Sequence, residues 1–177
     1  PEAIRAKIGF LSGNTRLYKR MTAREVLRYF GRLNNMTDKD INQRIAEVVE
    51  MLDMGEFIDR RCESFSTGQM QRTSIARVII HDPQILILDE PTLGLDIMSS
   101  QAILDFIRGT REQGRAVIFS THYMTEAETL CDRIGLIYNG SMLTIGTRTE
   151  LYQKTGTDNL QQAFLEMIKN QELGIRN

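Results

Sequence analysis

Two adjacent carboxylates are the first residues whose types and spacing could do chemistry. Asp89 and Glu90 directly follow Ile85–Leu88, an aliphatic run without alternation that predicts a strand buried on both faces of a parallel sheet. Neighbouring strand residues point to opposite sides, so one carboxylate could reach a Mg²⁺ shell while the other polarises a water for in-line attack on phosphorus. An acidic pair that merely ends a strand in solvent is the plain alternative.

Two further groups are predicted at the same edge, because functional groups of α/β sheets gather beyond the carboxyl ends of the strands. Ser12-Gly13-Asn14 follows the short strand Ile8–Leu11, and Thr121-His122 follows a second buried-type strand at 116–119. The imidazole at position 122 could donate a hydrogen bond to a phosphate oxygen. A lone histidine after a strand is more commonly a surface or core-edge residue.

Helix starts supply a third kind of candidate site. Ser66-Thr67-Gly68-Gln69 is a capping-box pattern that predicts the start of a helix running through Ile79. Backbone N–H groups and the positive end of the helix dipole would favour a phosphate there, and Gly68 would let it approach closely. A simple helix cap explains the same residues, and Asp96 could likewise only cap the helix predicted over about 98–112.

The elements that must position these groups alternate between strand and helix, which predicts an α/β fold with a mostly parallel sheet and right-handed crossovers. Thr22 with Glu25, and then Thr37, open two amphipathic helices that form a helical insert before residue 65. A short helix at about 125–130 precedes the strand at 134–138. Asn139-Gly140 predicts a hairpin turn that returns through 142–145, and helical spacing recurs over 158–168.

Composition excludes several other classes of protein. The 177 residues allow one domain of ordinary size, and 41% hydrophobic with 25% charged residues is average for a globular chain. A net charge of -1 gives no support to a nucleic-acid surface, and no apolar run is long enough to cross a bilayer. Cys62 and Cys131 fit neither a metal spacing nor a disulfide framework, which favours a reducing cytosol.

Taken in order, the motifs resemble those of ATP-binding cassette (ABC) proteins. Phe65–Gln69 resembles the signature sequence Leu-Ser-Gly-Gly-Gln, and Ile85–Thr92 matches the Walker B segment. Gly94-Leu95-Asp96 resembles the D-loop, and Ser120-Thr121-His122 the His-switch. The resemblance extends over nearly all of the chain, including the helical insert and the hairpin. It implies a P-loop NTPase-like ABC ATPase core.

The resemblance also implies roles for individual residues. Asp89 is similar to the residue that holds Mg²⁺ through water, Glu90 to the general base, and His122 to the switch that contacts the γ-phosphate. Four signature residues resemble the groups that close over ATP bound by the opposite subunit, and one D-loop residue resembles the group that communicates across the dimer: Ser66, Thr67, Gly68, Gln69 and Asp96. The implied cofactors are therefore ATP and Mg²⁺.

The same resemblance implies an architecture and a setting. We expect one partial ABC ATPase domain over 1–177, with a helical subdomain at about 20–64, a core at 65–146 and a C-terminal helical tail at 147–177. The expected partners are a second cassette, arranged head to tail, and a separate membrane permease, with no nucleic acid. Gly13–Tyr18 and Asn159–Glu166 resemble the NatA-like branch of sodium-export and multidrug-type exporters. The expected location is cytoplasmic, peripheral on the cytoplasmic face of the cell membrane, with Tyr18, Met21 and the first insert helix as candidate permease contacts.

The sequence departs from the family pattern in three places. No Gly-x-x-x-x-Gly-Lys-Ser/Thr motif occurs; in the family it lies upstream of this segment, so Pro1 is interpreted as a truncated start. Gly13, followed by Asn14, stands where the family usually has the Q-loop Gln. Thr67 replaces the usual Gly and Phe65 the usual Leu of the signature.

Two alternative functions stay open on the sequence alone. A soluble ABC ATPase acting on nucleic acid or the ribosome would carry tandem cassettes with a basic linker, or long coiled coils. A non-catalytic fragment would account for the missing P-loop, although the presence of Asp89, Glu90 and His122 argues against degeneration.

The missing phosphate cradle generates a direct prediction. The 177-residue chain alone should bind ATP weakly or not at all and should be inactive as an ATPase, because it has no P-loop lysine. Titration of the purified chain with a fluorescent ATP analogue measures this. Micromolar affinity would contradict the prediction.

Overall fold

The computed structural model describes residues 4, 6–13 and 16–174. The chain divides into two compact units, Pro1–Thr121 and His122–Asn177. The finer division predicted at residues 20–64, 65–146 and 147–177 stays a prediction.

A three-stranded parallel sheet organises the first unit. Its strands are β1 (Ile8–Leu11), β2 (Ile85–Leu88) and β3 (Ala116–Phe119), in the order β1-β2-β3. The register pairs the last residues of the strands side by side, with Leu11 next to Leu88 and Leu88 next to Phe119. The predicted α/β fold with a parallel sheet is therefore confirmed.

Four helices accompany this sheet in the described part of the first unit. They are α1 (Ala23–Leu33), α2 (Asp38–Met51), α3 (Thr67–Ile79) and α4 (Ile97–Glu112), with a short 3-10 helix at Cys62–Ser64. The capping boxes predicted from the sequence are both formed, one by Thr22 with Glu25 and one by Ser66 with Gln69. The two insert helices α1 and α2 pack through fully buried residues that include Val26, Leu27, Ile41 and Val48.

An ionic network ties the insert to the core of the first unit. Arg44 on α2 is only 8% exposed and pairs with Asp82, which follows α3, at 2.9 Å. The same carboxylate oxygen of Asp82 pairs with Arg115, just before β3, at 2.6 Å. Arg44 also forms an ion pair with Glu47 at 2.7 Å. Arg44 is therefore a buried charge with two anionic partners, as burial of a charge requires.

The prediction that β2 and β3 are buried on both faces is wrong for the described residues. Leu86 and Leu88 are buried, whereas on the opposite face Ile118 is 62% exposed and Phe10 on β1 is 60% exposed. Successive residues of a strand point to opposite faces of the sheet. Helix α3 covers the face that carries Gly9 and Leu86, so within the described residues only that face is fully buried.

The described part of the second unit, residues 122–174, contains a hairpin and three helices. Its elements are α5 (Met124–Leu130), β4 (Ile134–Tyr138), β5 (Ser141–Gly146), α6 (Arg148–Thr155) and α7 (Leu160–Glu172). Asn139 and Gly140 have φ values of 46° and 74°, as the predicted two-residue turn requires. In the described chain β4 pairs with β5 as an antiparallel sheet, so the predicted hairpin is formed, and the alternation of strands and helices does not continue the parallel sheet past β3.

Helix α6 was missed as a separate element, although Thr147 and Glu150 form a capping box that marks its start. Tyr152 on this helix donates a hydrogen bond to Glu128 of α5, and Leu160 N–H donates to the same carboxylate at 2.6 Å. Burial, followed by the hydrogen bond to Glu128, raises the pKa of Tyr152 to about 12. The tyrosine therefore stays a hydrogen-bond donor at neutral pH. Glu128, which accepts from both Tyr152 and Leu160, joins three helices of this unit.

In the parts of the chain that the structure covers, no helix combines the length and apolar character needed to cross a membrane.

Close packing of α3 on the sheet predicts intolerance at Gly9. A Cβ there would lie 2.8 Å from Leu86 Cδ2 and 2.9 Å from the Val78 carbonyl oxygen, so Gly9→Ala should lower the free energy of unfolding by about 1–3 kcal/mol. Urea titration measures this loss. Gly55→Ala is the matched control, because nothing lies within 4 Å of its added Cβ. Equal stability of the two variants would contradict the packing described for β1.

Candidate functional site

The carboxyl ends of the three parallel strands meet at one edge of the sheet, as predicted. The ladder continues one residue past the strands: Asp89 N–H donates to the Leu11 carbonyl at 2.9 Å, and Ser120 N–H donates to the Leu88 carbonyl at 3.0 Å. These bonds fix the backbone of the residues that follow the strands, so Asp89 lies beside the end of β1 and Ser120 beside the end of β2.

The Asp89 carboxylate is held from both neighbouring strands. Ser120 Oγ donates to its Oδ1 at 2.7 Å, and Gly13 N–H approaches its Oδ2 at 3.4 Å. The Asp89 side chain is otherwise exposed. An oriented, solvent-facing carboxylate is the type of ligand that binds a hydrated Mg²⁺.

Glu90 lies in a strained turn directly after Asp89. Its φ of 45° is in the left-handed region, which a residue with a side chain rarely adopts. Its N–H donates to Ser120 Oγ at 2.8 Å. The next residue, Pro91, accepts a hydrogen bond from Gln71 Nε2 of α3 at 2.9 Å, so the turn is anchored on both sides.

The signature segment forms the N-terminus of α3 and uses its polar side chains as a reciprocal cap. Ser66 Oγ accepts from Gln69 N–H at 3.2 Å, and Gln69 Oε1 accepts from Ser66 N–H at 3.1 Å. Thr67 is exposed and Gly68 is buried. The simple capping interpretation is therefore correct, and the predicted contacts of these residues with ATP stay predictions.

Gly68 packs against the first turn of α4. A Cβ added at Gly68 would lie 2.8 Å from Ser99 Cβ and closer still to its Oγ. Ser99 in turn bonds to Asp96, with its N–H at 2.9 Å from Oδ1 and its hydroxyl at 2.7 Å from Oδ2. The signature and D-loop segments of the same chain are therefore in contact through Ser99.

Asp96 is the N-cap of α4, as its simpler interpretation predicts. Hydrogen bonds from the Ser99 backbone and then from its hydroxyl lower the pKa of Asp96. Because the folded-state pKa is depressed, the stabilisation is present above the usual pKa of Asp and is lost as the pH falls through the folded value. The predicted communication of Asp96 across a dimer stays a prediction.

His122 belongs to the second compact unit, where its ring centroid lies 4.0 Å from that of Tyr123. Its side chain is exposed. The predicted contact of His122 with a γ-phosphate stays a prediction.

The donor set fits Mg²⁺ held mainly by water and phosphate. Among the described residues, no cluster of three or more His, Cys, Asp or Glu side chains could hold a metal by itself. Mg²⁺ characteristically keeps several waters and uses one or two carboxylates together with phosphate oxygens. Asp89 supplies such a carboxylate, and the Gly13 N–H donates a hydrogen bond to it. Asn14 lies outside the described residues.

Two residues of this region were missed as contributors by sequence reasoning. Ser120 was included only in the motif around His122, and Ser99 was not singled out. A hydroxyl two residues before the histidine, directly after β3, was the available signal for Ser120. Nothing in the local sequence indicated that Ser99 would contact Gly68.

The fold is an α/β fold with a parallel sheet, and comparisons with known proteins identify the family. The family described as "ABC transporter" matches residues 1–93. The chain is 38% identical over 169 residues to the ABC transporter ATP-binding protein NatA of Bacillus subtilis, with 95% of this chain and 69% of NatA covered. It is 39% identical over 162 residues to the linearmycin resistance ATP-binding protein LnrL of the same organism, covering 92% of this chain and 52% of LnrL.

The chain belongs to the ABC transporter family and corresponds to part of its ATP-binding domain. A solved structure described as "Structure of ATP binding subunit of ABC transporter" superposes with a TM-score of 0.83 at 24% identity, over 95% of this chain and 71% of that one. This likeness confirms the predicted fold class. The family consists of ATPases coupled to transport, so the predicted class of activity is confirmed at that level. The chain spans about half the length of LnrL.

The contact between the signature and the D-loop generates a prediction. Gly68→Ala should lower the free energy of unfolding by about 1–3 kcal/mol, because the new methyl overlaps Ser99. Ser99→Gly in the same chain should restore about 1 kcal/mol of that loss, measured as a double-mutant cycle by urea unfolding. The control is Gly109→Ala, inside α4, because nothing lies within 4 Å of its added Cβ. This substitution should raise the free energy of unfolding by about 0.5–1 kcal/mol. Additive effects at positions 68 and 99 would contradict the contact.

Proposed function

We propose that this chain is the hydrolytic part of an ATP-binding subunit that powers an ABC exporter through a separate membrane permease. The observation that carries the proposal is the carboxylate pair at the end of β2, with Asp89 oriented by Ser120 and Gly13 and with Glu90 in its own anchored turn. Family membership supplies the class of reaction, and this geometry supplies the residues for it.

In this proposal the two carboxylates have different roles. Asp89 holds hydrated Mg²⁺, which neutralises charge on the phosphates when it is bound. Glu90 orients the attacking water and accepts its proton as general base. His122 donates a hydrogen bond to the γ-phosphate. Asp89 directly follows β2, whereas Glu90 lies in a left-handed turn, so the two carboxylates are carried by different backbone conformations, which suits one metal ligand and one base.

The signature segment is proposed to act on the nucleotide of a second subunit. The N-terminus of α3 presents backbone N–H groups and a positive dipole end, and Thr67 is exposed at its first turn. Ser66 and Gln69 hold that turn in shape through their reciprocal cap. A head-to-tail dimer, in which each site is completed by the partner, makes use of this surface.

The proposed permease contact lies on the helical insert. Tyr18 is 53% exposed and Tyr29 on α1 is 42% exposed, and their rings stack edge to face at 5.9 Å. Phe30 continues the cluster beneath Arg77, whose guanidinium lies 4.9 Å from the ring centroid. Exposed aromatic residues next to an arginine are typical of the centre of a protein interface. Docking there places the subunit at the cytoplasmic face of the membrane.

Export is the proposed direction of transport. The similarity to LnrL, described as a linearmycin resistance protein, supports this direction. The permease selects the transported substrate in this proposal, so the motif residues described here serve ATP hydrolysis alone.

Replacing the proposed base tests the function. In the full-length protein Glu90→Gln should lower ATP turnover about 100-fold or more, because the amide cannot accept the proton of water. ATP binding should persist, and ATP-dependent dimers should accumulate. Phosphate release and size-exclusion chromatography with ATP measure the two effects.

Glu112→Gln is the matched control, since Glu112 is an exposed carboxylate at the far end of α4. Its turnover should stay within about twofold of the unmodified protein, as is usual for surface substitutions away from a site. Retained hydrolysis in Glu90→Gln would remove Glu90 from the role of base.

A further inference from the structure

Ser120 makes two hydrogen bonds with one hydroxyl group, and both partners belong to the carboxylate pair. Its Oγ donates to Asp89 Oδ1 at 2.7 Å and accepts from Glu90 N–H at 2.8 Å. A serine hydroxyl has one proton and two lone pairs, and a carboxylate can only accept. The direction of both bonds is therefore fixed: the proton lies toward Asp89 and a lone pair lies toward Glu90.

The position of Ser120 is set by the sheet. Its N–H donates to the Leu88 carbonyl at 3.0 Å, which extends the β2–β3 ladder by one step. Leu88 is buried and paired with Phe119. The hydroxyl therefore lies directly at the end of the β2–β3 ladder, held by a ladder hydrogen bond, and sites on rigid elements are held more accurately.

The hydroxyl constrains two groups, the backbone of Glu90 and the carboxylate of Asp89. Glu90 has a φ of 45°, a strained conformation that persists only where surrounding contacts impose it. The other bond to the Asp89 carboxylate, from Gly13 N–H at 3.4 Å, is longer than the bond from Ser120. Ser120 is therefore the stronger of the two described constraints on Asp89, and it also holds the backbone of Glu90.

We propose that Ser120 is a positioning residue for ATP hydrolysis. Its hydroxyl locks the direction of the Asp89 carboxylate and the backbone of Glu90 in a single arrangement, so that the metal ligand and the base keep a fixed relative geometry. This proposal rests on the proposed function of the carboxylate pair. In this proposal Ser120 acts through Asp89 and Glu90 and needs no contact with the metal or the reacting water.

Removal of the hydroxyl is the first test. In the full-length protein Ser120→Ala should lower kcat roughly 10- to 100-fold, the range expected for a lost hydrogen bond to a charged group. It should also raise the Mg²⁺ concentration for half-maximal rate about tenfold, while affinity for ATP without metal changes less than about twofold. Ser120→Thr keeps the hydroxyl and should retain at least about half of the rate.

Hydrogen exchange at the Glu90 amide provides a readout that does not depend on activity. In Ser120→Ala this amide loses its acceptor and should exchange at least about tenfold faster, whereas Ser120→Thr should leave the rate nearly unchanged. Ser141→Ala is the control, because Ser141 is an exposed serine on β5 in the second unit. It should alter neither kcat nor the exchange of Glu90.

The outcomes separate this inference from the function on which it rests. Unchanged kcat and Mg²⁺ dependence in Ser120→Ala, with wild-type turnover intact, would overturn the positioning role alone. Equal losses in Ser120→Ala and Ser120→Thr would also overturn it, since the hydroxyl would then be irrelevant. Absence of hydrolysis in the unmodified protein would refute the proposed function, and with it the catalytic part of the inference. The exchange measurement would still decide whether Ser120 holds Glu90.

Discussion

The parallel register of β1, β2 and β3 is the constraint on which the site depends. It places Leu11, Leu88 and Phe119 side by side, so the residues that follow them leave the sheet at the same edge. A parallel ladder fixes this alignment through evenly spaced backbone bonds, independently of the side chains beyond it. The contacts of Asp89 with Ser120 and Gly13, which are distant in sequence, follow from that alignment.

The described hydrogen-bond donors of this site are local dipoles and not charged side chains. The chain has a net charge of -1, and the donors around Asp89 and at the start of α3 are hydroxyl and backbone N–H groups. Such fixed dipoles favour an anion or an oriented carboxylate without a cluster of lysines. The contact of Gly68 with Ser99 links the proposed anion-binding turn to the cap of α4.

Local sequence patterns predicted much of the fold because local physics determines those features. The capping boxes at Thr22 and Ser66 and the turn at Asn139 each require only nearby residues, and all three formed. The exposure of Ile118 and the separation of the β4–β5 hairpin from the parallel sheet of the described residues were not predictable in this way. An aliphatic run indicates a strand but does not specify what covers each face or which strand pairs with it. The role of Ser120 likewise depends on a partner 31 residues away.

The location of the bound metal relative to the strand-end carboxylates tests the central claim most directly. Mn²⁺ favours the oxygen ligands that Mg²⁺ uses and broadens the resonances of nearby nuclei. Full-length protein with carboxyl-labelled aspartates, titrated with Mn²⁺ and ATP, should show the Asp89 resonance broadened first and most strongly. Asp105, an exposed carboxylate paired with Arg108 on α4, is the control, and its resonance should keep its line width. Equal broadening of both residues, or a narrow Asp89, would contradict the assignment of the site to the end of β2.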